Sequence, residues 1–320
     1  MKQGRKIVGW AFATTAILLL AALVGSSFYM LDFALAPLAR SDQEVLDRLA
    51  SHAPQPVVQW VDSVRRVGTL RDTMVDIDGD KAHAWYVRSS HDTTATAMLV
   101  HGYKDAGLMM LHIAYLYSHD LGWNVLMPDL PAHGHTPGDH IDMGWGEIHK
   151  HATRWITVAD QMFCHDKPST TMVLHGISMG AATVMNLSGD SLPGCVRAIV
   201  EDCGYTSVWD VFSFQMGETF GLHEFPLMYS TSALCKLRYG WSFGEASCLS
   251  QVAKCQLPML FIHGDSDDFV PTEMVHRLYA AKQGTKQLWL APGSGHARAY
   301  SDHPDEYKKQ VECFLAAAGL

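Results

Sequence analysis

The sequence predicts an α/β protein, a mostly parallel sheet with helices on both faces, preceded by one long apolar helix. Three observations predict it. From residue 73 onward, short apolar and β-branched runs alternate with longer helical stretches, the pattern of parallel strands joined by crossover helices. The chemically capable residues Tyr103, Asp129, Ser178, Asp202, Asp267 and His296 fall at or just beyond the C-terminal ends of such runs, where open parallel sheets bind ligands. Residues 7–31 carry no charge, about 25 positions and enough to span a bilayer as a helix.

Composition agrees with a folded domain. A chain of 320 residues, 48% hydrophobic and 18% charged, can bury a sizeable core. A net charge of −9 with no Lys/Arg cluster argues against a nucleic-acid partner. The seven cysteines (Cys164, Cys195, Cys203, Cys235, Cys248, Cys255, Cys313) form no C-x-x-C pair, which argues against a zinc knuckle. Cys235, Cys248 and Cys255 are close enough in sequence for a disulfide. The favoured reading is small buried hydrophobes.

The chain divides into residues 1–36, a membrane anchor; 37–72, a connecting helical region; and 73–320, the catalytic domain. Lys2, Arg5 and Lys6 precede the apolar run and place that end in the cytoplasm, so the domain is expected outside the cell membrane on a single span. A cleaved signal peptide is the competing reading, with Ala34-Leu35-Ala36 as a small-residue site, but Pro37 follows it directly and the run is long for a signal. A buried helix of the catalytic domain is disfavoured because the run is apolar all round. Ser41 is an N-cap for a helix beginning at Asp42, and Pro54 and Pro56 interrupt the region after it.

Strands are expected over 73–77 and 82–88, joined by an Asp78-Gly79 hairpin turn, then over 95–100, 123–127, 171–174, 196–200, 258–262 and 286–290. Helices are expected over about 108–121, 147–163 and 304–317, with another from Ala181. Between 205 and 256 no strand pattern occurs, but aromatic and Met residues are dense. This reads as a helical cap supplying an apolar wall over the site.

Thr170–Thr183 carries the chemistry. A short apolar strand runs into Gly176-Ile177-Ser178-Met179-Gly180, and good helix formers follow. Strand, G-x-S-x-G, helix is the setting in which a serine hydroxyl is held exposed at a sharp turn. A serine hydroxyl needs a base to accept its proton, and the base needs an orienting carboxylate. Both occur later in the chain, in the required order. Asp267 follows a strand, with Asp265 and Asp268 as competitors. Asp265, nearest the strand end, is suited to holding the turn. His296 stands after Gly293-Ser294-Gly295 in the last strand's loop. Among the other histidines, His101, His175 and His263 precede glycines at strand ends and read as structural, and His303 as solvated at a helix start. The backbone N–H groups of Met179 and Tyr103 are placed to serve as oxyanion donors. His133, His135, His140, Asp139 and Asp142 match no standard zinc spacing, so no metal site is expected. The chemistry requires no cofactor.

Taken together, Gly176–Gly180, His101-Gly102-Tyr103, Pro128-Asp129 with His133-Gly134, His263-Gly264 through Val270-Pro271, and Gly295-His296 resemble the α/β-hydrolase superfamily. More narrowly they resemble bacterial esterase/lipase and prolyl-oligopeptidase-like members, including membrane-anchored ones. The resemblance covers about residues 73–320. It implies Ser178, Asp267 and His296 as a catalytic triad and Tyr103 and Met179 as oxyanion donors. One departure is visible: where the family often has P-D-x-R-x-H-G, this chain reads Pro128-Asp129-Leu130-Pro131-Ala132-His133-Gly134, so the loop is expected to be held differently. The leading expectation is a serine hydrolase acting on a small carboxylic ester. A peptidase of the prolyl-oligopeptidase kind ranks second, because the roughly 70 residues before the first strand leave no room for a gating domain. A non-catalytic binding protein ranks third, because all three triad residue types are present.

Overall fold

The computed structural model describes residues 2–320, with side chains from Gly9 onward. One 8-stranded sheet has the order β1-β2-β4-β3-β5-β6-β7-β8. Its strands are β1 (Leu70–Ile77), β2 (Asp80–Val87), β3 (Ala95–Val100), β4 (Asn124–Pro128), β5 (Thr171–Ile177), β6 (Val196–Asp202), β7 (Met259–Gly264) and β8 (Lys286–Ala291). β2 pairs antiparallel with β1 and with β4, and every other neighbouring pair is parallel. Each predicted strand is present. The β1–β2 hairpin turns on Asp78 (φ 56°) and Gly79 (φ 97°), the paired positive φ values of a primed turn.

β4, β7 and all but the first residues of β3 and β5 are buried, because helices cover both faces. On one face α2 (Asp42–His52), α3 (Gln55–Arg66), α4 (Leu111–Ala114) and α12 (Pro304–Ala317) contribute to an apolar cluster. On the other, α5 (Ile148–Phe163) and α6 (Met179–Leu187) join the helices inserted between β6 and β7: α7 (Val208–Phe220), α8 (Leu227–Tyr239) and α9 (Cys248–Val252). These last three are the expected helical cap. α10 (Glu273–Ala281) and α11 (Ala299–Asp302) are short helices outside the predicted set.

Pro54 and Pro56 interrupt the connecting region as expected: α2 ends at His52 and α3 begins at Gln55. They stand at the N-cap and in the first turn of α3, where a missing N–H has no intrahelical partner to lose. One local expectation is corrected. The stretch predicted as one helix over 108–121 is a 3-10 turn (Gly107–Met110), α4, and π-helical turns (Tyr115–Asp120). The seven cysteines are free, and Cys235, Cys248 and Cys255 are buried in the apolar core rather than cross-linked. α2 begins as expected, with Ser41 and Glu44 forming a reciprocal capping box.

The N-terminal helix α1 (Lys2–Leu35) contains one segment, Gly9–Leu35, long and apolar enough to cross a membrane. The side chains of Lys2, Arg5 and Lys6, on which the expected orientation rests, lie outside the described residues. The helix has two unlike parts. Trp10, Ile17 and Leu20 are more than half exposed, whereas Ser27, Leu31 and Leu35 are buried. Spacing of four puts those three on one stripe, and α1 packs against α8. Ser27 Oγ lies 2.7 Å from Ser230 Oγ, and Asp32 pairs with Arg238 at 3.0 Å. The uniform apolarity that argues for a bilayer span hides this stripe, because composition cannot distinguish a lipid-facing leucine from one facing protein. Leu31→Ala is therefore expected to destabilise the folded domain by about 2–5 kcal/mol. Leu19→Ala, at a position 67% exposed, should leave stability within about 0.5 kcal/mol. Thermal melts of the detergent-solubilised full-length protein read both; equal melting temperatures for the two variants contradict the docked stripe.

Candidate active site

Ser178 joins β5 to α6 with φ 56° and ψ −115°, a conformation that costs a non-glycine residue energy. Two close approaches hold it there. A Cβ on Gly176 would collide with the backbone of Gly180, and a Cβ on Gly180 would collide with the carbonyl oxygen of Val100 at the end of β3. The turn is thus pressed between its own helix and the neighbouring strand. The Ser178 N–H donates to the Asp202 carbonyl on β6 at 2.8 Å, which locks the turn from the other side. Lys104, Cys203 and Ala297, on the loops after β3, β6 and β8, also have positive φ.

His296, in the loop after β8, reaches across the strand ends. Its Nε2 lies 2.9 Å from Ser178 Oγ, and its Nδ1 lies 2.7 Å from Asp267 Oδ2. The hydroxyl can donate to Nε2 while Nδ1–H donates to the carboxylate. Asp267 is held in turn: its Oδ1 accepts the backbone N–H groups of Phe269 (2.9 Å) and Val270 (2.8 Å). Of its competitors, Asp265 accepts the Gly293 N–H at 2.6 Å and holds the turn, and Asp268 is exposed. Cys203 Sγ lies within 4.8 Å of the Asp267 and His296 donor atoms. Burial pushes its thiol pKa well up, so it is a protonated neighbour and not a thiolate ligand. Asp267 and His296 already bond each other, an arrangement suited to orienting the imidazole.

Met179 opens α6, so its N–H is one of the donors the first turn leaves unpaired. Gly102 abuts the serine: a Cβ there would stand 3.6 Å from Ser178 Cβ. This brings the loop bearing Tyr103 to the same point from β3. The Tyr103 phenol donates to the Ala34 carbonyl of α1 at 2.6 Å, and burial pushes its pKa up to about 12.

The other strand-end residues serve as scaffold. Asp129 is buried and accepts from the Gly107 N–H (2.7 Å), the His83 ring (2.8 Å) and the His135 N–H (3.0 Å). Burial pushes this carboxyl up, but those hydrogen bonds and nearby His101 outweigh it and hold it below the ordinary range. The hub fixes the loop that lacks the family's arginine. His101 Nε2 adds to it by accepting the Leu130 N–H at 3.0 Å. Asp202, pushed up to about 7 by burial, accepts from Tyr307, which bonds His175 at 2.9 Å. His263 is buried and bonds the Val270 carbonyl at 2.9 Å. His303 is tied to the Pro292 carbonyl at 2.7 Å rather than left to solvent. Of the residues weighed as a metal set, His133 accepts from Lys104 N and His135 bonds Asp42, while His140 sits between Asp139 and Asp142.

Ser178 is not exposed as the turn motif predicts. It is 8% exposed, because α1 and the cap close over it. Two cavities meet there. One, of about 350 Å³, has a polar wall with Arg48, His52, Asp105 and Arg298. The other, of about 270 Å³, is apolar and lies under the cap. The contributions of α1 and α2 to these walls escape sequence reasoning, since neither bears a motif. Gly180→Ala is expected to force the turn off β3, costing about 1–3 kcal/mol of stability. It should also abolish labelling of Ser178 by a fluorophosphonate. A stable, normally labelled Gly180→Ala protein contradicts the close-packed turn.

Comparison with known proteins agrees with this architecture. Residues 97–310 match the model of the alpha/beta hydrolase family. The chain is 30% identical over 230 residues to the uncharacterized protein YqkD of Bacillus subtilis, covering 72% of this chain and 74% of that one. It is 24% identical over 246 residues to the uncharacterized protein YfhR of Escherichia coli K12, covering 75% and 78%. The Pyrococcus furiosus esterase Pf2001 shares the fold with a TM-score of 0.62 at 20% identity, over 79% of this chain and 93% of that one. Est1E of Butyrivibrio proteoclasticus, solved with ferulic acid, shares it with a TM-score of 0.55 at 18% identity, over 77% and 98%. The strand order, the pressed serine turn and these matches lead to one assignment: the chain is a member of the alpha/beta hydrolase family.

Proposed function

We propose that the protein is a membrane-anchored serine hydrolase that cleaves carboxylic esters. The observation that carries the reading is the continuous chain from Ser178 Oγ through His296 to Asp267, at 2.9 and 2.7 Å. Ser178 attacks the acyl carbonyl as its proton passes to His296 Nε2. Asp267 holds the imidazole in the required tautomer and stabilises the imidazolium. The N–H groups of Met179 and Tyr103 bear the developing oxyanion. Collapse of the tetrahedral intermediate hands the proton from His296 to the departing alkoxide. Water, deprotonated by the same imidazole, then attacks the acyl-enzyme, and the acid and the free serine are released. Cavities of about 350 and 270 Å³ on either side of Ser178 suit a small molecule better than a polypeptide, which favours an ester over a peptide substrate. The exposed apolar part of α1 supports a single membrane span, and Lys2, Arg5 and Lys6 ahead of it support a hydrolase domain outside the cytoplasm.

A fluorophosphonate probe is expected to label the wild-type protein and not Ser178→Ala, and the same variant should lose at least about 10³-fold in kcat on short-chain nitrophenyl esters. Asp267→Asn should retain the serine and its turn but lose about 10³–10⁴-fold in kcat, because the imidazole takes the wrong tautomer. Full ester turnover by Ser178→Ala would sink the assignment.

A further inference from the structure

α1 enters the active site as a continuous helix. Met30, Phe33 and Ala34 line the apolar cavity beside Ser178, facing Met216, Phe220 and Met228 of the cap. No break separates these residues from the exposed apolar stretch that precedes them. Gly9–Gly25 rises roughly 25 Å, close to a bilayer's hydrocarbon thickness. Met30 lies less than two turns beyond it, so the cavity stands at the depth of the lipid headgroups.

The surface around this point is apolar and aromatic. Tyr29 (63% exposed), Phe33 (52%), Phe225 (78%) and Tyr229 (54%) stand out from α1 and the cap, with Phe220 and Leu222 less so. They are joined across the two elements. Phe33 meets Phe220 edge-on at 5.6 Å, Tyr29 stacks on Phe33 at 6.3 Å, and Phe225 meets Tyr229 at 6.0 Å. Ser230, next to Tyr229, contacts Ser27 of α1. An exposed cluster of this kind would be a liability in water, whereas aromatic rings are favoured at the membrane–water interface. Its continuity with the proposed membrane span favours lipid as the occupant.

We propose that the substrate is a lipid ester taken directly from the bilayer: a long acyl chain enters the apolar cavity between α1 and the cap, and the polar alcohol portion occupies the cavity walled by Arg48, His52, Asp105 and Arg298. This rests on the ester-hydrolase reading above and adds the substrate class. The anchor helix thereby does two things, since the element that tethers the enzyme also forms a wall of its acyl pocket.

The test uses the full-length protein reconstituted in dioleoylphosphatidylcholine vesicles, with dissolved 4-nitrophenyl butyrate and vesicle-partitioned 4-nitrophenyl palmitate as probes. The palmitate ester is expected to be turned over with a kcat/KM at least tenfold above that of the butyrate ester. Ala34→Trp, which fills the cavity from α1, should lower the palmitate-to-butyrate ratio at least tenfold, with fluorophosphonate labelling of Ser178 confirming an assembled site. Phe225→Asp, at a position too exposed to threaten folding, should lower the same ratio several-fold by weakening contact with the vesicle. Preference for the butyrate ester, with a ratio that neither variant moves, overturns the lipid proposal and leaves ester hydrolysis standing. No turnover of either ester by labelled wild-type protein overturns both.

Discussion

The backbone of the turn after β5 passes so close to β3 and to its own following helix that no side chain fits at Gly176 or Gly180. The geometry of the site depends on that contact. It forces Ser178 into a positive φ and aims its hydroxyl away from the sheet toward the loops after β7 and β8. The strain can persist because the parallel sheet on either side over-determines the turn: β3 blocks it on one side, and the Asp202 carbonyl of β6 holds its N–H on the other. A looser sheet would relax the turn and move the hydroxyl out of reach of His296.

Around this turn the protein spends its buried polar groups on positioning. Three carboxylates at or near strand ends have three roles. Asp129 closes the β4 loop with three hydrogen bonds. Asp202 anchors α12 through Tyr307. Asp267 combines two backbone donors with an imidazole that itself reaches Ser178. Burial raises the free energy of an ionised carboxylate, so each role is set by the donors that surround it. For Asp129 those donors outweigh burial, while for Asp202 burial prevails and the carboxyl is pushed up to about 7.

The N-terminal helix changes character along its length. Its first part presents apolar side chains to the surroundings, and its last turns become part of the domain core through Leu31 and Leu35. The cap alone would leave the apolar cavity open on the α1 side, where Met30, Phe33 and Ala34 now complete the wall. The position of α1 and the closure of the cavity are therefore mechanically coupled. Any shift of α1 relative to α8 is felt at the cavity, because the Ser27–Ser230 contact and the Asp32–Arg238 pair join the two helices.

Local sequence determined the elements that periodicity and turn chemistry encode. Eight strands, the Asp78-Gly79 hairpin, the Ser41 cap and the serine turn are legible because each is a property of a few adjacent residues. Candidates for base and orienting carboxylate are legible from chain order and from the loops that hold them, yet Asp265, Asp267 and Asp268 stand side by side in the sequence. Only the tertiary structure separates them, since a carboxylate's reach to His296 depends on how two distant loops cross the sheet. The same holds for the cover over Ser178 and for the division of α1 into an exposed part and a packed part. Both are set by contacts between residues some 200 positions apart, such as Ser27 and Ser230, and no local pattern records which apolar surface meets protein and which meets its surroundings.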